Sequence, residues 1–210
     1  MFIIIDDFFS KEDQDKLENV LLTYPYNPAK GTVYQEYKDS LPFLNSLPKF
    51  NDDDVIQFES RLFYNGKIQF CKEQEYFFEQ IWDPFVKSNI KDIIQSLSTK
   101  DLLLDRMKSN ILTREVRGFF GHLHHTPHVD SAVELYDNVS CIYYINDSDG
   151  PTILFNEYSF DNPKKLTLYK KINPKKGRLL AFHSNRYHTS SSPRKNSYRH
   201  ILNMVMMPNQ

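Results

Sequence analysis

What this chain of 210 residues lacks narrows its class before any motif is read. It has only two cysteines, Cys71 and Cys141, without CxxC spacing, which excludes a disulfide scaffold and a thiolate zinc site and fits a reducing compartment. Charge of one sign is also missing, since 26 basic residues stand against 27 acidic ones. A general nucleic-acid binder needs a broad basic field to neutralise phosphates, so that class is set aside. There is no long apolar run. The opening Phe2 to Ile5 is far too short for a signal or membrane segment, and Asp6-Asp7 follow at once, so the expectation is a cytoplasmic protein with no membrane contact. No internal repeat, low-complexity tract or linker divides the sequence, and no nucleophile motif stands out.

What is present can bury a sizeable core: 40% of residues are hydrophobic and 14% aromatic, which predicts one α+β domain over residues 1–210. The opening FIIIDDFFSKEDQDKLENVLL predicts a short strand and then a helix, with Ser10 as N-cap, Glu12 and Asp13 in the first turn, and Leu17, Val20 and Leu21 as its apolar stripe. Tyr24 to Asp54 is rich in Pro, Asn, Asp and Lys with weak periodicity, which predicts a long surface excursion. Asn65-Gly66, between two alternating runs, is a hairpin signal because both residues tolerate positive φ. Two helices are predicted next, Glu73 to Trp82 and Phe85 to Leu97, separated by Pro84, which cannot donate within a helix. Beyond Asp101, RMKSNILT, HLHHTPHV, VSCIYYIN, PTILFNE, KLTLYKKI, GRLLAFH and YRHILNMVM read as the strands of a sandwich or barrel, with the helices buttressing one sheet.

Chemistry concentrates in HHTPHVD. Side chains of an extended strand alternate, so His128 and Asp130 project to one face while Val129 points away. A 2-His-1-carboxylate triad would draw its third ligand from a distant strand, with His183, His188 and His200 as candidates. His188 is the best placed, one short turn (SNRY) after GRLLAFH. His122, His124 and His125 lack the Cys or carboxylate that would complete a four-ligand zinc site. They are expected to be structural or to line the entrance, with His124 the nearest of them to substrate. Arg199 shares a strand face with Ile201, Asn203 and Val205 and needs a partner there; a guanidinium binds a carboxylate through two parallel hydrogen bonds, and a small dicarboxylate would supply one. Arg194, before that strand, is a lesser rival. Asn110, Arg106 and Asn203 are candidates for polar contacts in the pocket, although ordinary sheet packing is the simpler reading of each. The lysine-rich run from Lys164 to Arg178 is expected to be a solvated hairpin with edge-protecting lysines.

Taken in order and spacing, H-V-D, SCIYYIN, GPTILFNE, GRLLAFHSNRYH and YRHILN resemble the Fe(II)- and 2-oxoglutarate-dependent dioxygenases, specifically the prolyl 4-hydroxylase-like branch. The opening FIIIDDFFSKEDQDKL is similar to that group's N-terminal strand and helix. The resemblance implies a double-stranded β-helix (jelly-roll, cupin-like) core with N-terminal helices packed on one sheet. It implies Fe(II) on His128, Asp130 and His188, and the distal carboxylate of 2-oxoglutarate on Arg199 with the phenol of Tyr144 beside it. A further tyrosine that the family often carries before HxD has no counterpart, since Phe119 and Phe120 stand there. The implied reaction is hydroxylation of an aliphatic C–H, a peptidyl proline by branch, consuming O2 and releasing succinate and CO2, with ascorbate as a candidate reductant. The substrate would be a protein, a peptide or a small molecule, contacted by His124 and Asn110 among others. Specificity is expected in 24–54, in 131–138 and in the turn before His188. Two other classes compete: a non-catalytic jelly-roll binding module, and a cupin-like metalloenzyme that does not use 2-oxoglutarate. The intact set of four groups argues against the first, and Arg199, which the second has no need of, argues against that one.

Overall fold

The structure, a computed structural model, describes residues 1–30, 56–65, 67–69, 75–114, 125, 127–131, 137–161 and 163–209. In chain order the strands are β1 (Phe2–Ile5), β2 (Asn27–Lys30), β3 (Ile56–Tyr64), β4 (Lys67–Ile68), β5 (Leu102–Thr113), β6 (Val139–Tyr144), β7 (Thr152–Tyr158), β8 (Leu168–Ile172), β9 (Leu179–His183), β10 (Arg186–Ser190) and β11 (Tyr198–Pro208). The helices are α1 (Lys11–Leu22), α2 (Glu75–Lys87) and α3 (Ile90–Ile94), the last running into a 3-10 turn at Gln95–Leu97. A large antiparallel sheet has the order β1-β9-β6-β11-β5-β3-β2, with β4 hairpinned onto β3, and a smaller one has the order β10-β7-β8. The α+β expectation is met.

The period-2 alternation of the central strands builds two cores at once. On β6, β9 and β11, Cys141, Tyr143, Leu179, Ala181, Leu202 and Met204 face the helices, where Leu17, Leu21, Ile81, Phe85, Ile90 and Ile94 cover them. The intervening Ile142, Tyr144, Leu180, Phe182 and Ile201 face the small sheet and meet Leu154 and Ile172. Strands buried on both faces read as near-continuous apolar runs, and these do. Cys141 lies wholly inside and burial pushes its thiol up to about 12, so it packs as a small apolar group. Cys71 lies outside the described residues.

Ser10 caps α1 as expected, its hydroxyl accepting from Asp13 N at 3.2 Å. Pro84 does not separate two helices. It lies inside α2, and the break falls later, at Asn89, whose φ of 53° is left-handed. Ile81 and Phe85 are both fully buried on the core face of α2, and their burial outweighs the single hydrogen bond that proline forfeits. The hairpin at Asn65 forms, with Tyr64 opposite Lys67 and Asn65 at φ 49°. The lysine-rich run supplies β8, the edge of the small sheet, with Lys170 and Lys171 exposed. Its far end is tied to the N-terminus: Arg178 pairs with Asp6 at 2.6 Å and Lys176 with Asp15 at 2.6 Å. Among the described residues no helix is long and apolar enough to cross a membrane.

Candidate active site

His128 meets β10 at a single antiparallel bridge, where His128 N donates to His188 O and His188 N to His128 O, each at 2.9 Å. This exchange sets the two imidazoles side by side, with ring centroids 4.4 Å apart. Two residues on, Asp130 N donates to Ser184 O at 2.9 Å in the turn between β9 and β10, which swings the carboxylate under both rings. One ligand-type atom from each of His128, Asp130 and His188 therefore lies within 4.8 Å of the others. His188 follows a turn after β9, as the spacing predicts, but it stands inside a strand that no run in the sequence announced: the turn closes over Ser184 and Asn185 alone, and β10 begins at Arg186 to pair with β7.

The surroundings fix each group. His188 Nδ1 lies 3.1 Å from Arg186 O, so the hydrogen belongs on Nδ1 and Nε2 is left with its lone pair, 3.6 Å from Asp130 Oδ2. Burial lowers the His188 pKa, which keeps the imidazole neutral as ligation requires. Burial by itself would raise Asp130, but the Arg106 guanidinium, helped by the Ser140 hydroxyl, outweighs it and holds the carboxyl well below the usual range. Arg106 Nη2 donates to Oδ1, and Ser140 Oγ donates to Oδ2 at 2.7 Å. Asn203 Nδ2 approaches Oδ2 at 3.5 Å. Arg106 and Asn203, whose simpler reading was sheet packing, thus reach the carboxylate. Sequence reasoning missed Ser140; the available signal was a lone hydroxyl on the inward face of an apolar strand.

From the three side chains a cavity of about 480 Å³, open mouth included, runs between the sheets to Arg199. Arg199 is only 1% exposed. Its Nη2 donates to Thr152 Oγ1 at 2.7 Å, and Tyr144 Oη donates to the same oxygen at 2.7 Å. Thr152 accepts both, so its own hydrogen is left to donate into the cavity. Arg199 Nε has no hydrogen-bond partner, and among the described residues no carboxylate pairs with this guanidinium. A buried cation left without its counter-charge costs several kcal/mol. Gln57 Nε2 and Asn110 Oδ1, also buried in the cavity wall, have no partner among the described residues either. Sequence reasoning missed Gln57 and Thr152, since a polar residue at a strand end carries no sign of which way it faces.

The other candidates are elsewhere. His200 faces the helix side of the large sheet, where its Nε2 contacts Tyr26 Oη at 2.9 Å and Ser109 Oγ at 2.8 Å. His183 is partly buried at the end of β9, 6.4 Å from the Tyr158 ring. His125 lines the cavity, while His122 and His124 lie outside the described residues. Arg194 is exposed, in a loop whose backbone N–H groups cap Asp149. The residues present fit both implied groups: two imidazoles and one carboxylate suit a divalent iron, and a diacid would relieve Arg199.

No family model matches the chain, and neither does any curated protein sequence. Solved structures do match. An oxidoreductase of the 2OG-Fe(II) oxygenase family from Burkholderia pseudomallei superposes with a TM-score of 0.66 at 11% identity, over 100% of this chain and 86% of its own. This chain shares the fold of that oxygenase. The same fold is carried by SnoN, a non-heme alpha-ketoglutarate-dependent epimerase of nogalamycin biosynthesis, with a TM-score of 0.66 at 9% identity, over 99% of this chain and 77% of that one. It is also carried by a prolyl hydroxylase from Trichoplax adhaerens, in complex with a hypoxia inducible factor peptide, with a TM-score of 0.58 at 16% identity, over 99% and 83%. The mostly antiparallel sheet with few helices is what this chain has in common with these oxygenases.

Proposed function

We propose that this chain is an Fe(II)- and 2-oxoglutarate-dependent oxygenase that hydroxylates an aliphatic C–H bond. The observation that carries the reading is a cavity with His128, Asp130 and His188 gathered at one end and, at the other, a buried guanidinium that no carboxylate among the described residues pairs with. When bound, iron and 2-oxoglutarate supply the oxidation that places one oxygen atom in the C–H bond and releases succinate and CO2. The chain itself binds, orients and shields. His188 is aimed by its hydrogen bond to Arg186 O, and Asp130 is aimed by Ser140 and Arg106. Arg199 and Thr152 anchor the distal carboxylate, and Tyr144 fixes Thr152 from behind. Ile142 and Ile201 line the cavity with apolar surface and limit water there. The prolyl 4-hydroxylase-like motifs put a peptidyl proline first among peptide substrates, and the fold neighbour solved with a peptide keeps that class in view.

The test is anaerobic titration of the chain with Fe(II) and 2-oxoglutarate. A metal-to-ligand charge-transfer band is expected in the wild type and is expected to vanish in His128→Ala and His188→Ala. Succinate should appear once oxygen is admitted, and a peptide library should show an oxygen-dependent mass gain at proline. A wild-type chain that binds Fe(II) but gives no band with 2-oxoglutarate would remove the cosubstrate from the reading.

A further inference from the structure

A second cavity, about 660 Å³ with its open mouth, meets the first at Lys108, His128 and Asp130. Its floor is the face of β3 and β5 that continues outward from the metal-type cluster. In the register of the sheet Arg61 stands directly opposite Lys108, and Tyr64 opposite Arg106. Arg61 and Tyr64 are three residues apart and would fall on opposite faces of a regular strand. A bulge between Arg61 and Phe63 inserts Leu62, which is fully buried in the core, and so returns Tyr64 to the floor beside Arg61. Bulges of this kind re-aim side chains and recur beside active sites.

The charges on this floor are out of balance. Like charges directly opposite one another in a sheet repel, yet Arg61 and Lys108 form such a pair, with Arg106 two residues further along β5. Glu59 is shared loosely between the first two, 3.5 Å from Arg61 Nε and 3.9 Å from Lys108 Nζ. Asp130, the other acid lining the cleft, belongs to Arg106 and to the metal-type cluster. Among the described residues three cations therefore face two carboxylates, and a divalent ion on Asp130 would widen the excess. Arg106 Nε is buried with no hydrogen-bond partner among the described residues. Arrangements of this kind are relieved by an anion.

We propose that this outer cleft is the subsite for the principal substrate and that it selects one carrying a carboxylate or phosphate, held between Arg61 and Lys108 near the carbon to be oxidised. The inference rests on the iron and 2-oxoglutarate reading for the identity of the neighbouring site. Tyr64, exposed at the rim, offers an aromatic face to the uncharged part of such a molecule. A neutral peptide segment would leave the cations unmatched, so the charged group is the discriminating feature.

The full chain, loaded anaerobically with Fe(II) and 2-oxoglutarate, is titrated by calorimetry with methyl phosphate, acetate and acetamide. Saturable binding is expected for at least one of the two anions and not for acetamide, and the tighter anion names the source of the charge. Arg61→Gln and Lys108→Gln are each expected to weaken that binding by about tenfold, the loss that follows removal of one charged donor. Absence of anion binding, equal binding of acetamide, or unchanged affinity in both variants would overturn the proposal. The charge-transfer band is recorded on every sample. Its retention in the variants shows that they are folded and hold cosubstrate; its absence from the wild type would overturn the iron reading alone, while anion binding still judges the cleft.

Discussion

Arg199 sits where a cation is hardest to keep. It is 1% exposed, with the neutral Thr152 hydroxyl as a hydrogen-bond partner and the Tyr144 ring 5.7 Å away. Replacing it with alanine is expected to weaken 2-oxoglutarate binding by about 2 to 5 kcal/mol, the range for removing one partner of a desolvated charge pair. Arg199→Lys should lose less, since sign is kept while the two-pronged geometry is lost. Titrating the charge-transfer band against 2-oxoglutarate measures both, and an unchanged affinity in the alanine variant would detach Arg199 from the cosubstrate. His200, on the opposite face of the same strand, gives a prediction about pH. Burial among Tyr26, Ser109 and the core lowers its pKa from 6.5 to about 4, so the folded state favours the neutral ring. Its contribution is present above pH 6.5 and is lost as pH falls toward 4, by about 3 kcal/mol in all. Denaturant melts of the wild type and His200→Gln across that window should show a shallower pH slope in the variant; parallel slopes would contradict the assignment. At this scale Arg199 was legible because an arginine on an apolar strand face demands a partner. Thr152 and Gln57 were not, because a polar side chain at a strand end looks the same whether it meets solvent, a carboxylate or a cavity.

Elements were legible where the hydrophobic period was unambiguous. Apart from β10, the strands after Asp101 and α1 with its Ser10 cap follow from alternation and capping. Their ends were less so. The position of Pro84 inside α2 and the start of β10 at Arg186 depend on what each segment packs against, which local sequence does not state. One glycine connects elements in a way that can be tested. Gly177 has φ +80°, its N–H donates to Tyr144 O at 3.0 Å, and its carbonyl accepts from Phe8 N at 2.9 Å, so it joins the end of β6 to the segment before α1. A Cβ there would fall 2.5 Å from the Gln14 side chain, which is itself held by Phe9 O at 2.9 Å. Gly177→Ala is expected to cost about 1 to 3 kcal/mol through left-handed strain and the displaced glutamine. Thermal melting should show a fall of roughly 2 to 4 °C for each kcal/mol lost in a chain of this size. An unshifted melting temperature would mean that the junction relaxes freely.

For the molecule as a whole, a ligand that binds only the folded state raises its stability. Saturating the chain with Fe(II) and 2-oxoglutarate at about a hundred times Kd should add about 2.7 kcal/mol, reversed by a chelator and missing in His128→Ala. Calorimetric melts with and without both ligands measure it, and an unchanged melting temperature in the wild type would speak against a site formed by folding. The sequence by itself determined the class of elements, the faces of the strands, and the residue types able to ligate iron and a carboxylate, because these follow from local periodicity and side-chain chemistry. Only the tertiary structure decided that His128 and His188 meet across one antiparallel bridge, that Arg199 has no acid of its own among the described residues, and that Arg61 lies opposite Lys108. Distances between groups tens of residues apart are set by sheet register, by a bulge and by the stacking of two sheets, and these are fixed by the packing of the whole chain rather than by the spacing of any one stretch.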